Sequence, residues 1–338
     1  MLATTSQSVR PTPDAQNPKD WRDALRSAFR TPDELCDYLG LPREVAAAAR
    51  DFPMLVPRSY AGRMRHGDAA DPLLRQVLPV DAEHLPLPGF TTDPVGDRQA
   101  ESGRGLLHKY HGRVLLVLTG ACAVNCRYCF RRHYPYNTAS AGPKEWKAAL
   151  EAIAADDSVE EVILSGGDPL MLADALLAEL AEAIEQISHV RRLRIHTRLP
   201  IVMPERVTDQ WTQWLAAGRL TKVVVVHANH ANELDRQVGS SLARLRATGA
   251  TLLNQAVLLR GVNDSTAAQR ELCERLVEQG VTPYYLHQLD RVAGAGHFEV
   301  PVPEGLEIIR QLRATLPGYM VPRYVQEIAG EPNKRVLA

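Results

Sequence analysis

From residue 113 to residue 289 the chain alternates short apolar runs with stretches of helical spacing, and this alternation limits the possible fold more than any other feature. The first run is RVLLVLT from Arg113; others follow over 161–165, 193–197, 222–227, 251–257 and 283–289. Helical patterns lie between them over 144–155, 172–187, 208–217, 234–248 and 267–279. Runs this short and this rich in Val, Ile and Leu suit strands buried on both faces. Strand–helix–strand units join parallel neighbours through right-handed crossovers. The expected fold is α/β, with a six-stranded parallel sheet that is either open and doubly wound or a partial or full (β/α) barrel. Both forms put chemistry at the C-terminal ends of the strands.

The flanks differ. Residues 1–18 are polar, contain Pro11, Pro13 and Pro18, and read as a disordered lead. Helical spacing follows over 21–29 and 32–39, with Thr31 as N-cap before Pro32. Prolines recur from Pro53 to Pro94 and exclude long regular elements, so this segment is expected to drape over another part of the molecule. Within it PLLRQVLP, residues 72–79, is either cover for a site or plain packing. The expected organisation is a lead over 1–18, a helical and Pro-rich extension over 19–100, a barrel over 101–318, and a tail over 319–338 that opens with a strand over 319–328. With 39 basic and 40 acidic side chains, the formal charge of −1 offers nothing for nucleic acid or an anionic membrane to grip. No apolar run reaches the roughly 18 residues of a membrane span, and residues 1–18 show no secretory h-region. The expectation is a cytoplasmic protein, in keeping with five cysteines, an odd number suited to a reducing compartment.

Directly after the first strand the chain reads TGACAVNCRYCFRRHYPY, which places Cys122, Cys126 and Cys129 together and leaves only Cys36 and Cys273 elsewhere. A structural zinc site normally takes four ligands, and no second pair stands nearby. A 4Fe-4S cluster takes one thiolate per iron, so three thiolates leave one iron open, as reactive metal sites are. The alternatives are zinc or a chance group of buried thiols. The other strand ends are polar too: Ser165-Gly166-Gly167-Asp168, His196-Thr197-Arg198, His227 through Glu233, Asn254 and Gln255 followed by Arg260 through Asp264, and Gln288 with Asp290. Together they point to one cavity, with His227, Asn254 and Gln255 as candidate cofactor contacts. His227 and His230 could bind a metal, but hydrogen bonding is the commoner use of such residues. Near the end Lys334 follows a Gly/Pro turn. It reads either as a solvated charge or as an amine able to form an imine with pyridoxal 5'-phosphate (PLP), with Lys109 and Arg113 available for the phosphate.

The C-x3-C-x2-C spacing with Tyr128 before the third cysteine resembles the radical S-adenosylmethionine (SAM) superfamily, in which SAM chelates the open iron. Taken with VILSGGDPLML, HANHANE, NQAVLLRGVND, PYYLHQLDRVAGAGHFEVPV and GEPNKRV, the chain resembles the lysine 2,3-aminomutase family. It is nearest to the bacterial branch that supplies β-lysine for modifying elongation factor P. The resemblance implies a six-stranded radical SAM barrel and three cofactors: a 4Fe-4S cluster on Cys122, Cys126 and Cys129, SAM and PLP. It implies that Tyr128 lies near the adenine of SAM, that Gly166, Gly167 and Asp168 hold its methionine end, and that Lys334 carries PLP. Arg131 would bind the α-carboxylate of lysine, with Arg132 as competitor, and Asp290 and Glu327 would bind its distal ammonium. The family has Asp where this chain has Glu327, seven residues before Lys334, and Arg where it has Lys109. The zinc-binding cysteines of the larger members are not carried over. The implied reaction converts L-α-lysine to β-lysine, with an electron donor such as flavodoxin or ferredoxin and a possible homo-oligomer. The rivals are a glutamate 2,3-aminomutase, disfavoured by the two distal anions, and a non-catalytic iron-sulfur protein.

Overall fold

The computed structural model describes residues 20–49, 52–136 and 143–338, so the lead expected over 1–18 lies outside the described residues. Ten strands form one sheet in sequential order: β1 (Glu101–Gly103), β2 (Leu106–Tyr110), β3 (Arg113–Val117), β4 (Glu161–Ser165), β5 (Arg192–Thr197), β6 (Thr221–Val226), β7 (Thr251–Val257), β8 (Thr282–His287), β9 (Arg323–Gln326) and β10 (Arg335–Val336). Strands β3 to β9 pair in parallel, whereas β1, β2 and β3 at one side and β9 and β10 at the other pair antiparallel. The order is linear, so the sheet is an open partial barrel. It curls far enough for its sides to touch, because Tyr110 Oη on β2 donates to Glu327 Oε1, just past β9, at 2.6 Å.

All six expected strands are present, and β9 falls within the expected 319–328 as a seventh parallel strand. Crossover helices occupy Pro143–Ala154, Asp174–Glu185, Asp209–Ala216, Arg236–Ala247 and Thr266–Glu278. Leu116, Val162, Leu164, Ile195 and Val224 are fully buried on the strands, in one core with Leu177, Trp211, Leu242 and Leu272 from the helices. The hairpin β1–β2, strand β10 and the helix Val302–Thr315 add to the sequence expectation. That helix has a proline in its first turn, where a missing N–H costs nothing, and Gly305 inside it, where a side chain would have no room against Tyr324.

The extension covers the C-terminal mouth of the barrel. Thr31 caps Pro32–Leu39 through a capping box, while the preceding helix is shorter than its apolar pattern, Trp21–Arg26. Leu55 O accepts from Asn125 N at 3.1 Å and Gln76 O from Arg127 N at 2.8 Å, both within the cysteine loop. The 72–79 stretch therefore does both things expected of it: Leu73, Leu74 and Val77 are buried, and Gln76 reaches the site. Among the described residues no helix is long and apolar enough to cross a membrane.

Candidate active site at the barrel mouth

Cys122, Cys126 and Cys129 occupy the loop after β3, in which Cys129 N donates to Cys126 O at 3.0 Å and Arg132 N to Cys129 O at 3.1 Å. The loop is stitched to the turn after β4 by Gly167 N to Thr119 O, 2.6 Å, and Asp168 N to Ala121 O, 2.8 Å. Here the glycines are required. Gly166 has φ +132° and a Cβ on it would lie 2.5 Å from Thr119 O, while one on Gly167 would run into Ala121 O. Asp168 accepts from Leu170 N at 3.0 Å, Thr197 Oγ1 at 2.8 Å and Arg198 N at 2.8 Å, so its carboxyl braces β4 against β5. Burial nevertheless pushes it up to about 6.

Burial, then the neighbouring Cys126, pushes the Cys129 thiol up to about 11; burial, Asp168 and the other two sulfurs also raise Cys122. Such thiols become ligands when a metal centre supplies positive charge. Among the described residues no three His, Cys, Asp or Glu side chains are placed around a single ion. The three thiols lie close enough for Cys126 to raise the other two, a closeness that suits a cluster taking one thiolate per iron.

Behind the loop stands Arg198, which sequence reasoning left without a role. Its Nη1 lies 2.6 Å from Cys126 Sγ, and its Nη2 donates to Gln76 Oε1 at 2.6 Å, Glu233 Oε2 at 3.0 Å and Tyr60 Oη at 3.3 Å. Asn229 Nδ2 joins Gln76 Oε1, at 3.0 Å, to Tyr128 Oη, at 2.7 Å. The Tyr128 ring meets Phe298 edge-on at 6.1 Å and lies 5.9 Å from His227. Glu83, from the extension, takes Arg127 Nε at 2.8 Å and Arg132 Nη2 at 2.8 Å. Both terminal nitrogens of Arg132 are engaged in holding the loop, to Arg127 O, Gly294 O and Glu83, and Arg131 stays the candidate for a substrate carboxylate.

Arg131 begins a run of charges that ends at Lys334. Its Nε donates to Asp97 Oδ2 at 2.6 Å and its Nη1 to Ser165 Oγ at 3.2 Å. Asp97 Oδ1 takes Lys109 Nζ at 2.6 Å, Lys109 lies 3.8 Å from Glu327, and Glu327 pairs with Lys334. The β9–β10 register explains the last contact: Gln326 stands opposite Arg335, so 327 and 334 form the next antiparallel pair. Although burial opposes it, Lys334, then Tyr110 and Lys109, hold the Glu327 carboxyl below its ordinary value. Burial pushes Asp290 up to about 7 against the pull of Lys334. The Arg113 guanidinium lies 4.7 Å over the Tyr110 ring.

His196, His227 and His287 line the same interior, each with a buried Nε2 that has no hydrogen-bond partner. Burial keeps them neutral, pushing His227 down to about 3 and the other two well below their ordinary value. Unpaired buried nitrogens beside a lysine, with Lys109 and Arg113 near, fit a polar cofactor such as PLP. One expected contact falls differently. The Asn254 amide is committed to Ala228 N and O at 2.8 and 3.1 Å, so it fixes the loop after β6. Gln255 points the other way, in register with Tyr285 on the face that also carries His287, and so remains a candidate cofactor contact. His230 Nδ1 accepts from Asn232 N at 3.1 Å and caps its own turn. Arg198 and Asp97 were missed because a buried charge and a surface charge look alike in sequence; the position of Arg198 immediately after a strand was the available signal.

The radical SAM superfamily model matches residues 116–282. L-lysine 2,3-aminomutase of Escherichia coli (strain K12) is 47% identical over 324 residues, covering 94% of this chain and 94% of that protein. The protein of the same description from Haemophilus influenzae is 45% identical, covering 95% of this chain and 96% of its own length. That from Clostridium subterminale is 34% identical, covering 93% of this chain and 77% of its own length. With the cysteine loop, the glycine turn and the lysine hairpin gathered at one barrel mouth, these similarities place the chain in the lysine 2,3-aminomutase family, isomerases of the radical SAM superfamily.

Proposed function

We propose that the protein converts L-α-lysine to β-lysine, with PLP carried on Lys334 and the radical generated from SAM at a cluster held by Cys122, Cys126 and Cys129. The observation that carries this reading is the run Arg131–Asp97–Lys109–Glu327–Lys334, which links the cysteine loop to the lysine hairpin. When bound, the cluster and SAM supply a hydrogen-abstracting radical and PLP supplies the π-system that lets nitrogen change carbon.

The chain itself does the positioning. Asp97 and Ser165 orient Arg131 toward a substrate carboxylate, and Asp290 and Glu327 receive the distal ammonium. A distal carboxylate, as in glutamate, would be repelled by both acids. The three neutral imidazoles add no competing charge to the interior. Delivery of β-lysine to elongation factor P extends the proposal on resemblance alone.

The test is product analysis after anaerobic incubation with lysine, PLP, SAM and a low-potential reductant. β-Lysine is expected, and SAM cleavage without amino migration would refute the assignment. Asp290→Ala should lose lysine turnover while still cleaving SAM; undiminished β-lysine from that variant would remove Asp290 from the substrate site.

A further inference from the structure

The Arg198 side chain is 6% exposed and packed among groups that are buried as deeply: Glu233, Gln76 and Tyr60 are each 0% exposed. Its Nη2 is held by those three residues, and this fixes Nη1 on Cys126 Sγ. Two of the three, Tyr60 and Gln76, come from the extension, and Gln76 is itself anchored by Nε2 to Pro72 O at 3.0 Å and to Glu233 Oε1 at 3.1 Å. A guanidinium held this tightly has no freedom to serve a passing substrate. It is a fixed positive charge against one sulfur.

We propose that Arg198 sets the redox poise of the cluster: its charge and its hydrogen bond to Cys126 Sγ stabilise the reduced state, and Glu233 limits the size of the effect. The proposal rests on the cluster reading above. A 4Fe-4S core on three thiolates becomes more negative by one charge when it accepts one electron from a low-potential one-electron reductant, and no bond need form or break. Hydrogen bonds to the sulfurs, local charge and burial are the levers that set such potentials. Arg198 supplies two of them and the extension holds it in place, so Arg198 acts as a positioning residue for the electron rather than for lysine.

The sign of the effect separates this role from mere bracing. In holoprotein reconstituted anaerobically, an EPR-monitored redox titration should give Arg198→Gln a more negative midpoint than the unaltered protein. Glu233→Gln should give a more positive one, because it leaves the guanidinium unneutralised. Arg198→Lys should fall between the unaltered protein and Arg198→Gln. Loosening of the loop would move Arg198→Gln and Glu233→Gln in the same direction, so shifts of one sign, or none, overturn the proposal. Should neither variant hold iron, the unaltered holoprotein grown on isotopically labelled arginine decides: pulsed EPR of the reduced cluster should show a coupled arginine nitrogen, and its absence overturns the proposal. Failure of the cluster reading is distinct, since the unaltered protein would then retain no iron.

Discussion

On the cysteine side of the cavity, Glu83 sits between Arg127 and Arg132, and Glu233 takes Arg198. On the lysine side, the buried Nε2 atoms of His196 and His287 have no partner within the chain and burial pushes Asp290 up to about 7. On the first wall each of these charged groups finds its counter-charge within the chain, although Arg132 Nε and Arg198 Nε are left unpaired. The second leaves buried polar atoms unpaired within the chain, and such atoms cost stability unless water or a ligand pairs with them. One wall is built to hold a geometry and the other to receive a molecule.

Four substitutions break or sharpen this contrast. Cys126→Ser should reduce β-lysine formation to background and lower the iron content, both measurable on anaerobically purified protein. Glu83→Gln leaves Arg127 and Arg132 buried without their carboxylate and should cost about 3–5 kcal/mol in denaturant unfolding. A cost below 1 kcal/mol would mean that this wall is less dependent on the extension than its contacts imply.

Asp290→Asn tests the other wall with the opposite sign. The folded carboxyl titrates near 7, above its unfolded value of about 3.9, so the folded state binds the extra proton and the native protein loses stability as pH rises between these values. The Asn variant lacks that loss. Its advantage in unfolding free energy should be absent at pH 4, grow to about 2 kcal/mol by pH 7 after allowance for partial exposure, and stay level above. A pH-independent difference would show that Asp290 is not perturbed. Thr31→Ala, distant from both walls, should cost about 1 kcal/mol through the lost cap and leave iron content and activity unchanged.

The parallel sheet was legible because continuous apolar runs such as Val162–Leu164 and Val223–Val226 leave strands buried on both faces as their simplest reading. Strand β10 was not, since two residues carry no periodicity and Arg335–Val336 pair only because the hairpin brings them back to Gln326 and Val325. The three clustered cysteines stood out by spacing, and Lys334 by its turn. Their support did not: Glu83, Asp97 and Gln76 sit in a Pro-rich stretch with no regular pattern, and only tertiary contact shows that they are buried. Asn254 shows the converse, a polar strand residue whose amide serves the backbone rather than a ligand.

The backbone ladder of this sheet never closes, and between β2 and the residue after β9 the join is made by side chains, Tyr110 and Lys109 on Glu327. A closed ring of strands could change its girth only by breaking main-chain hydrogen bonds. Here a phenol–carboxylate hydrogen bond and an ion pair hold the two sides together, so the barrel can widen at this seam with its backbone ladder intact.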